Sequence, residues 1–217
     1  MTSARRGLFI TLEGGEGSGK SSQAQALKAL VEGAGRSVTV TREPAGCPLG
    51  QRVRELLSDP SLELDPRSEL FLFVAARAQH TAEVIRPALE QGEVVICDRF
   101  GDSSVAYQGY GRGLGPEDVR LANRMATQGL VPDLTVLLDV PVETGLARQE
   151  LALSASKGGE NAPDRIGHEG AEFHERVRQG YLAMAAEEPE RFLVVDSTIP
   201  PEEITGTIWR RLEPLLA

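Results

Sequence analysis

Five short apolar runs, rich in β-branched residues, alternate with longer helix-like stretches along the 217-residue chain. Proline marks the start of three of these stretches, at Asp65-Pro66, Gly115-Pro116 and Pro200-Pro201, because proline suits the first turn of a helix. No Asn-Gly hairpin signal lies between the apolar runs. The alternation predicts an α/β fold with a parallel five-stranded sheet and helices on both faces. The predicted strands are Leu8–Leu12, Ser37–Thr41, Val94–Cys97, Leu134–Leu138 and Phe192–Val195.

The first predicted strand leads directly into a glycine-rich loop and then into a predicted helix. Residues Gly14–Ser21 fit the pattern G-x-x-x-x-G-K-[ST] at every fixed position, which is the phosphate-binding P-loop of NTPases. Backbone N–H groups in such a loop point at one anion, and the following helix adds positive potential. Lys20 can reach the β- and γ-phosphates, and the Ser21 hydroxyl can bind Mg²⁺. The predicted nucleoside triphosphate site consists of Gly14, Gly15, Glu16, Gly17, Ser18, Gly19, Lys20, Ser21 and Ser22.

Composition narrows the class of protein mainly by exclusion. The formal net charge of −9 argues against a nucleic acid as the main partner. No apolar run is long enough to span a bilayer, and the first residues lack the core of a signal peptide. Cys47 and Cys97 have no metal-ligand spacing. These observations predict a cytoplasmic protein of one domain, with neither a nucleic acid nor a membrane as partner.

Charged residues follow several of the predicted strands, where ligands of α/β sheets gather. Asp98 has the position of the carboxylate that helps to hold Mg²⁺ in P-loop enzymes. Asp139 also ends a strand, but Pro141 follows it closely, which favours a helix-start or supporting role. Arginine suits phosphate oxygens, and no Asn-Lys-x-Asp guanine motif is present, so a small-molecule phosphotransferase is the favoured class. The arginines considered for a second phosphate are Arg42, Arg54, Arg77 and Arg99.

Several further segments are specific in combination, although the P-loop alone is shared by many families. They include an Arg-Glu-Pro turn, a Phe-x-x-x-Arg pair and an Asp-Arg…Ser-Ser-x-Ala-Tyr-Gln-Gly run. The segments are Glu13–Ser21, Thr41–Pro44, Leu70–Arg77, Cys97–Phe100, Asp102–Gly109 and Pro132–Leu134. Together they closely resemble the thymidylate kinases, over nearly the whole chain.

The resemblance implies a single P-loop nucleoside monophosphate kinase domain over residues 1–217, with a lid at about residues 149–168. It implies transfer of the ATP γ-phosphate to dTMP, giving dTDP and ADP for dTTP synthesis. ATP and dTMP would be the partners, Mg²⁺ the cofactor, and the assembly a homodimer. A plain surface loop remains the alternative for the small, polar stretch Ser154–Pro163.

The resemblance also implies how the acceptor nucleotide is held. Phe73 would stack on thymine, and Arg77, on the same helix face, would hydrogen-bond a base carbonyl oxygen. Ser104 and Gln108 would complete base recognition, and the Tyr107 ring would pack under the deoxyribose, where a 2′-hydroxyl would clash. A core position remains the alternative for Phe73.

The sugar and phosphate of the acceptor are assigned in the same way. Glu16 resembles the carboxylate that accepts the 3′-hydroxyl. Arg54 and Arg99 resemble the clamp on the monophosphate, with Glu43 beside it. The acceptor oxygen is already anionic, so the reaction requires positioning and charge neutralisation rather than a general base.

The catalytic cations are expected from two places. Lys20 and Arg99 belong to the cleft, whereas Gly15–Ser18 hold no arginine, so the resemblance implies a further cation from the lid. Arg165 is the favoured transition-state cation, with Arg148 nearer the adenine. Lys157 is the competing lid residue, and Gly167 stands where an acidic residue is usual, which leaves a lid contact to the sugar open.

Other functions remain open at this point. A kinase for another nucleotide or for a nucleoside would share the fold, and Glu43 could then serve as the base for a 5′-hydroxyl. A nucleotide-binding regulator without turnover is disfavoured by the intact Lys20, Ser21 and Asp98. The apolar run Leu70–Val74 suits a dimer interface and the core equally well.

Overall fold

A computed structural model describes residues 6–155 and 169–216. Within these ranges five parallel strands form one sheet in the order β2-β3-β1-β4-β5, which confirms the predicted fold class. The strands are β1 Leu8–Glu13, β2 Val38–Arg42, β3 Val94–Asp98, β4 Leu134–Asp139 and β5 Phe192–Asp196.

Each strand extends one residue beyond the predicted run, and that residue is charged in every case. Asp98 ends β3 opposite Leu12 and Arg42, and Asp139 ends β4 opposite Asp196. Apolar patterning reports burial, whereas the sheet pairing continues to the charged residue after each apolar run. Two of these end residues, Arg42 and Asp98, line the cleft and therefore stand on hydrogen-bonded strand ends.

The helices of the described residues begin largely where the proline signals predict. Asp65 caps α3 through a 2.8 Å bond from the Arg67 N–H, and Pro116 and Pro201 open α6 and α9. Two segments are π-helical. Residues 81–85 join α3 to α4, and residues 105–111 continue α5. The helices are α1 Lys20–Gly33, α2 Pro48–Ser58, α3 Pro66–His80, α4 Arg86–Glu90, α5 Gly101–Ser104, α6 Pro116–Thr127, α7 Val142–Ala155, α8 Ala171–Glu187 and α9 Pro201–Leu212.

Apolar side chains cover both faces of the sheet. On one face Leu27 of α1 and Ile208 of α9 pack against alternate residues of the central strands, such as Ile10. On the other face α8 packs against the segment 105–111, and Phe9 packs against Phe100. Burial on both faces explains why the central strands β1, β3 and β4 are almost continuously apolar.

None of the helices within residues 6–155 and 169–216 is long and apolar enough to cross a bilayer. Residues 149–155 of the expected lid form the end of α7, and the remainder of the expected lid lies outside the described residues, so the domain and lid boundaries stay predictions.

Candidate active site

A cleft of about 410 Å³ opens at the carboxyl edge of the sheet, between the P-loop and α3. Its walls come from the P-loop and the start of α1, from the ends of β2 and β3, from α2, α3 and α5, and from the π-helical segment 105–111. The structure thus brings donor-side and acceptor-side candidates into one cavity. The predicted residues that line it are Glu16, Gly17, Ser18, Gly19, Lys20, Ser21, Ser22, Glu43, Arg54, Phe73, Arg77, Asp98, Arg99, Ser104, Tyr107 and Gln108.

The P-loop backbone requires glycine where it is tightest. Gly17 has a φ of 62°, and a Cβ there would lie 2.1 Å from the carbonyl oxygen of Gly145. Gly19 has a φ of 90° and precedes α1, which begins at Lys20. These left-handed conformations are costly for other residues. The loop therefore delivers the N-terminus of α1, with its positive potential, to the cleft.

Lys20 occupies the centre of the loop. Its Nζ donates to the carbonyl oxygens of Gly15 at 2.7 Å and Gly14 at 3.1 Å, and to Ser18 Oγ at 3.0 Å. Burial and the nearby Arg99 guanidinium lower the pKa of Lys20 to about 8, although neighbouring carboxylates raise it. Lys20 therefore lies inside the loop that a phosphate would enter. Phosphate oxygens could replace the carbonyl oxygens that now accept its hydrogen bonds.

The side chains expected to hold a metal are adjacent. The Ser21 hydroxyl donates to Asp98 Oδ2 at 2.6 Å, and both residues line the cleft. Asp139 lies elsewhere, in a two-point ion pair with Arg178 of α8 at 2.7 and 2.9 Å. The described residues contain no cluster of three His, Cys, Asp or Glu side chains that could hold a metal ion. One carboxylate and one hydroxyl suit Mg²⁺ that also binds phosphate oxygens and water.

Arg99, Glu16 and Tyr107 form a charged cluster on the acceptor side. Glu16 Oε1 accepts from Arg99 Nη2 at 2.7 Å and from the Tyr107 hydroxyl at 2.8 Å. The Arg99 guanidinium carbon also lies 5.0 Å from the centre of the Tyr107 ring. Burial favours a raised pKa for Glu16, but the charges of Arg99 and Lys20 prevail and lower it to about 2. Glu16 is therefore ionised near neutral pH.

Arg77 is the most heavily bonded side chain in the cleft and is almost fully buried. Its Nε donates to Glu43 at 2.8 Å, and Nη1 donates to Ser104 at 3.0 Å and Asn123 at 2.6 Å. Nη2 donates to the Phe100 carbonyl at 3.0 Å and lies 2.7 Å from Glu43. Four guanidinium N–H groups thus donate within the protein, and a base contact at Nη1 requires the exchange of one of its two partners.

Glu43 lies on the base side of the cleft, where it is paired with Arg77. Its second oxygen lies 3.3 Å from Nδ1 of the buried His80, whose Nε2 is 2.7 Å from the Thr41 hydroxyl. Both carboxylate oxygens are thus engaged within the protein.

The remaining phosphate candidates also belong to the lining of the cleft. Arg54 on α2 and Arg42 at the end of β2 both line the cleft, together with Ser58 and Leu57. Phe73 is half-buried on the adjoining face of α3. Arg42, Arg54 and Arg99 therefore line the same cavity.

Gly14, Gly15 and Arg148 lie behind the cleft rather than in its lining. The two glycines supply carbonyl oxygens to Lys20, and Gly14 also accepts from Arg99 at 3.2 Å. Arg148 Nη1 donates to the Ser197 carbonyl at 2.8 Å, and Ser197 Oγ donates to the Ser18 carbonyl at 2.6 Å. Arg148 therefore reaches the outer side of the P-loop.

The expected lid residues Lys157, Arg165 and Gly167 lie outside the described residues. Their predicted roles stay predictions.

Glu13 supports the site, although the sequence assigns it no role beyond its place in the segment Glu13–Ser21. Its carboxylate accepts from the Phe100 N–H at 2.8 Å, from Ser103 at 2.6 Å and from the Tyr181 hydroxyl at 3.0 Å. Burial, followed by the charge of Asp102, raises the pKa of Glu13 to about 7. It ties down the turn that presents Arg99, which has a φ of 68°. The signal available in the sequence was a glutamate directly after the predicted strand Leu8–Leu12.

Comparison with known proteins agrees with this geometry. A family model described as thymidylate kinase matches residues 12–208. The thymidylate kinase of Deinococcus radiodurans is 52% identical over 204 residues, which cover 94% of this chain and 95% of that protein. The thymidylate kinase of Solidesulfovibrio magneticus is 52% identical and covers 96% of this chain and 100% of its own length. A crystal structure of thymidylate kinase from Ehrlichia chaffeensis superposes with a TM-score of 0.74 at 33% identity, covering 95% of this chain and 99% of that one.

Proposed function

The chain belongs to the thymidylate kinase family, and we propose how its cleft transfers the γ-phosphate of ATP to dTMP, giving dTDP for dTTP synthesis. The observation that carries the proposal is the junction of the P-loop with the Arg99–Glu16–Tyr107 cluster in one cavity. Donor and acceptor phosphates would meet there, so the transfer is direct and in line.

The donor end is formed by the P-loop. The backbone N–H groups from Gly14 to Ser22 would hold the ATP phosphates, and Lys20 would exchange its carbonyl partners for phosphate oxygens. Because those phosphates are anionic, they would raise the pKa of Lys20 again. Arg148, at the outer side of the loop, is assigned to the adenine side.

Ser21 and Asp98 would hold Mg²⁺ through their oxygen atoms, and the described part of the chain has no cluster of three His, Cys, Asp or Glu side chains that would enclose it. When bound, this ion neutralises charge on the phosphates. The Ser21 hydroxyl would turn from Asp98 toward the ion, and Asp98 would remain a ligand or hydrogen-bond to metal-bound water.

The acceptor phosphate would bind between Arg54 and Arg99. Glu16 would receive the 3′-hydroxyl on Oε2, since Oε1 is shared by Arg99 and Tyr107, whereas among the described residues Oε2 has one long contact, with Gln149 at 3.4 Å. The Tyr107 ring would pack under the deoxyribose. Arg99 would then serve both the acceptor phosphate and the transferred group.

The base would lie on the Phe73 ring, between Ser104 and Gln108. We assign the base carbonyl contact of Arg77 to exchange with Ser104, because that hydroxyl can rotate and still bond to the nucleotide. Glu43 would hold Arg77 in place rather than act as a base, which disfavours a nucleoside kinase. Arg165 remains the proposed transition-state cation of the lid.

Assembly and location follow from the same family assignment. Phe71 of α3 and Leu121 and Met125 of α6 are exposed apolar side chains on two helices in mutual contact. We propose that such a face supports a homodimer and that the enzyme is cytoplasmic, a single domain over residues 1–217.

The test is ADP release with ATP and Mg²⁺, offering dTMP, dUMP, dCMP, dGMP, UMP and thymidine in parallel. A strong preference for dTMP is expected, with thymidine inactive because it lacks the phosphate for Arg54 and Arg99. Preference for thymidine would overturn the phosphate clamp, and no turnover with any acceptor would overturn the kinase assignment. Arg165→Ala tests the lid. An unchanged kcat, with activity abolished in Arg148→Ala or Lys157→Ala, would contradict the role of Arg165.

A further inference from the structure

Glu69 lies directly behind the proposed base site, although no motif draws attention to it. It belongs to the first turn of α3, four residues before Phe73 and eight before Arg77, so the three share one helix face. Only 2% of Glu69 is exposed. A carboxylate so deeply buried requires partners.

Two side chains donate to this carboxylate. Gln108 Nε2 donates to Glu69 Oε1 at 2.9 Å. Arg112 donates from Nε to the same oxygen at 3.2 Å and from Nη2 to Oε2 at 3.0 Å. Arg112 is itself held, by an ion pair with Glu169 and by its position 4.8 Å from the centre of the Phe173 ring.

The contact fixes which end of the Gln108 amide can face the cleft. An amide has a donor end and an acceptor end of nearly equal size, whereas an ionised carboxylate only accepts. Arg112 supplies the positive charge that balances Glu69, so the NH₂ group of Gln108 is the end that must turn toward it. The carbonyl oxygen, Oε1, is then left for the cleft.

The surroundings of Oε1 agree with this orientation. Oε1 accepts no hydrogen bond from the residues that the structure describes. Three fully buried side-chain atoms of these residues lack a partner, namely Thr81 Oγ1, Arg86 Nε and His174 Nε2, and Oε1 is not one of them. Because Gln108 lines the cleft, Oε1 is the group of this amide that is left for a ligand bound there.

We propose that Glu69, held by Arg112, is a positioning residue that sets base specificity by fixing the Gln108 amide with its oxygen toward the base. The proposal rests on the proposed function. Thymine carries a donor at N3, which pairs with this oxygen, whereas cytosine carries an acceptor there and would leave two acceptors facing each other. An unpaired buried polar group of this kind lowers binding about tenfold to a hundredfold.

The decisive variant is Glu69→Gln, which keeps the shape but offers Gln108 both a donor and an acceptor. The amide can then turn over, and discrimination at N3 relaxes. The probe is 5-methyl-dCMP, which keeps the 5-methyl group of dTMP and differs only along the N3 and C4 edge. We expect the ratio of kcat/KM for dTMP over 5-methyl-dCMP to fall at least fivefold, through KM rather than kcat.

Two controls separate positioning from general damage. The ratio of dTMP over dUMP should stay unchanged in Glu69→Gln, because both bases carry N3–H. Glu117→Gln removes the same charge from an exposed pair with Arg120 on α6 and should change neither ratio. In a Gln108→Met background Glu69→Gln should have no further effect on the 5-methyl-dCMP ratio, since the residue acts through Gln108.

Arg112→Lys is a second variant in case Glu69→Gln does not fold. It retains the charge but loses the two-point contact, so a smaller shift in the same direction is expected. An unchanged ratio for 5-methyl-dCMP in both variants would overturn the proposal, as would an equal effect of Glu69→Gln in the Gln108→Met background. Failure of the wild type to phosphorylate dTMP would instead overturn the proposed function.

Discussion

On the donor side of the cleft, backbone carbonyls and a helix N-terminus surround Lys20, and nearly all the groups come from one continuous segment. On the base side, Arg77 is held by Glu43 just after β2, by Asn123 of α6 and by the Phe100 carbonyl after β3. The first half is built by local chain geometry and the second by tertiary contacts. A change on the donor side should therefore lower activity with little loss of stability. A change on the base side should lower both activity and stability.

The largest expected effect is on the donor side. Lys20→Ala should lower kcat by roughly two to four orders of magnitude, as removal of a transition-state cation does. ADP release under saturating ATP and dTMP measures it. Lys28→Ala, at an exposed i,i+4 pair with Glu32 on the same helix, is the matched control and should retain wild-type kcat. A loss confined to KM for ATP would show that Lys20 binds but does not stabilise the transition state.

Next in size is the stability of the base side. Arg77→Met should lower the free energy of unfolding by ~3–5 kcal/mol, because it leaves Glu43 buried without its partner. Urea denaturation measures it. Arg52→Met removes an exposed pair with Glu55 and should cost at most ~1 kcal/mol. Equal, small losses in both variants would remove the distinction between the two halves of the cleft.

A pH profile tests the donor side without removing any group. The ammonium of Lys20 loses its proton as the pH rises through the pKa of about 8 in the unliganded protein, so the charge is present below pH 8 and absent above it. We expect kcat/KM for ATP to fall up to tenfold per pH unit above this value. Lys20→Arg stays charged and should lose this alkaline limb, even at lower activity. The same limb in both proteins would assign it to another group.

The smallest effect is expected from the ring that faces the base. Phe73→Leu should raise KM for dTMP roughly twofold to tenfold, the size of a lost aromatic stacking contact, and leave kcat nearly unchanged. Val131→Ala shortens an exposed apolar side chain that does not line the cleft and serves as the control. If both variants behave alike, Phe73 is a core residue and not a base platform.

The sequence predicts the fold and the donor side well because both depend on local patterns. Buried parallel strands appear as apolar runs, and the P-loop has a fixed spacing around Gly17 and Lys20. Each strand nevertheless runs one residue further than predicted, since a charged end residue such as Asp98 keeps its sheet hydrogen bonds while facing the cleft.

The base side could be predicted only in part, because its contacts join distant parts of the chain. Resemblance suggests Arg77 and Gln108, but nothing in the local sequence pairs Arg77 with Glu43 and Asn123, or Gln108 with Glu69. The spacing of Glu69, Phe73 and Arg77 at successive helical turns was a usable signal. Pairings across elements depend on the packing of α3 against its neighbours, which periodicity does not report.

The central claim is that the two halves form one continuous site for direct transfer between nucleotides. An inhibitor that joins adenosine and thymidine through five phosphates tests it most directly, because it spans both halves at once. We predict competitive inhibition against ATP and against dTMP, each measured at a fixed subsaturating concentration of the other substrate. Competition against only one of the two would contradict the account, because the donor and acceptor sites would then not be joined.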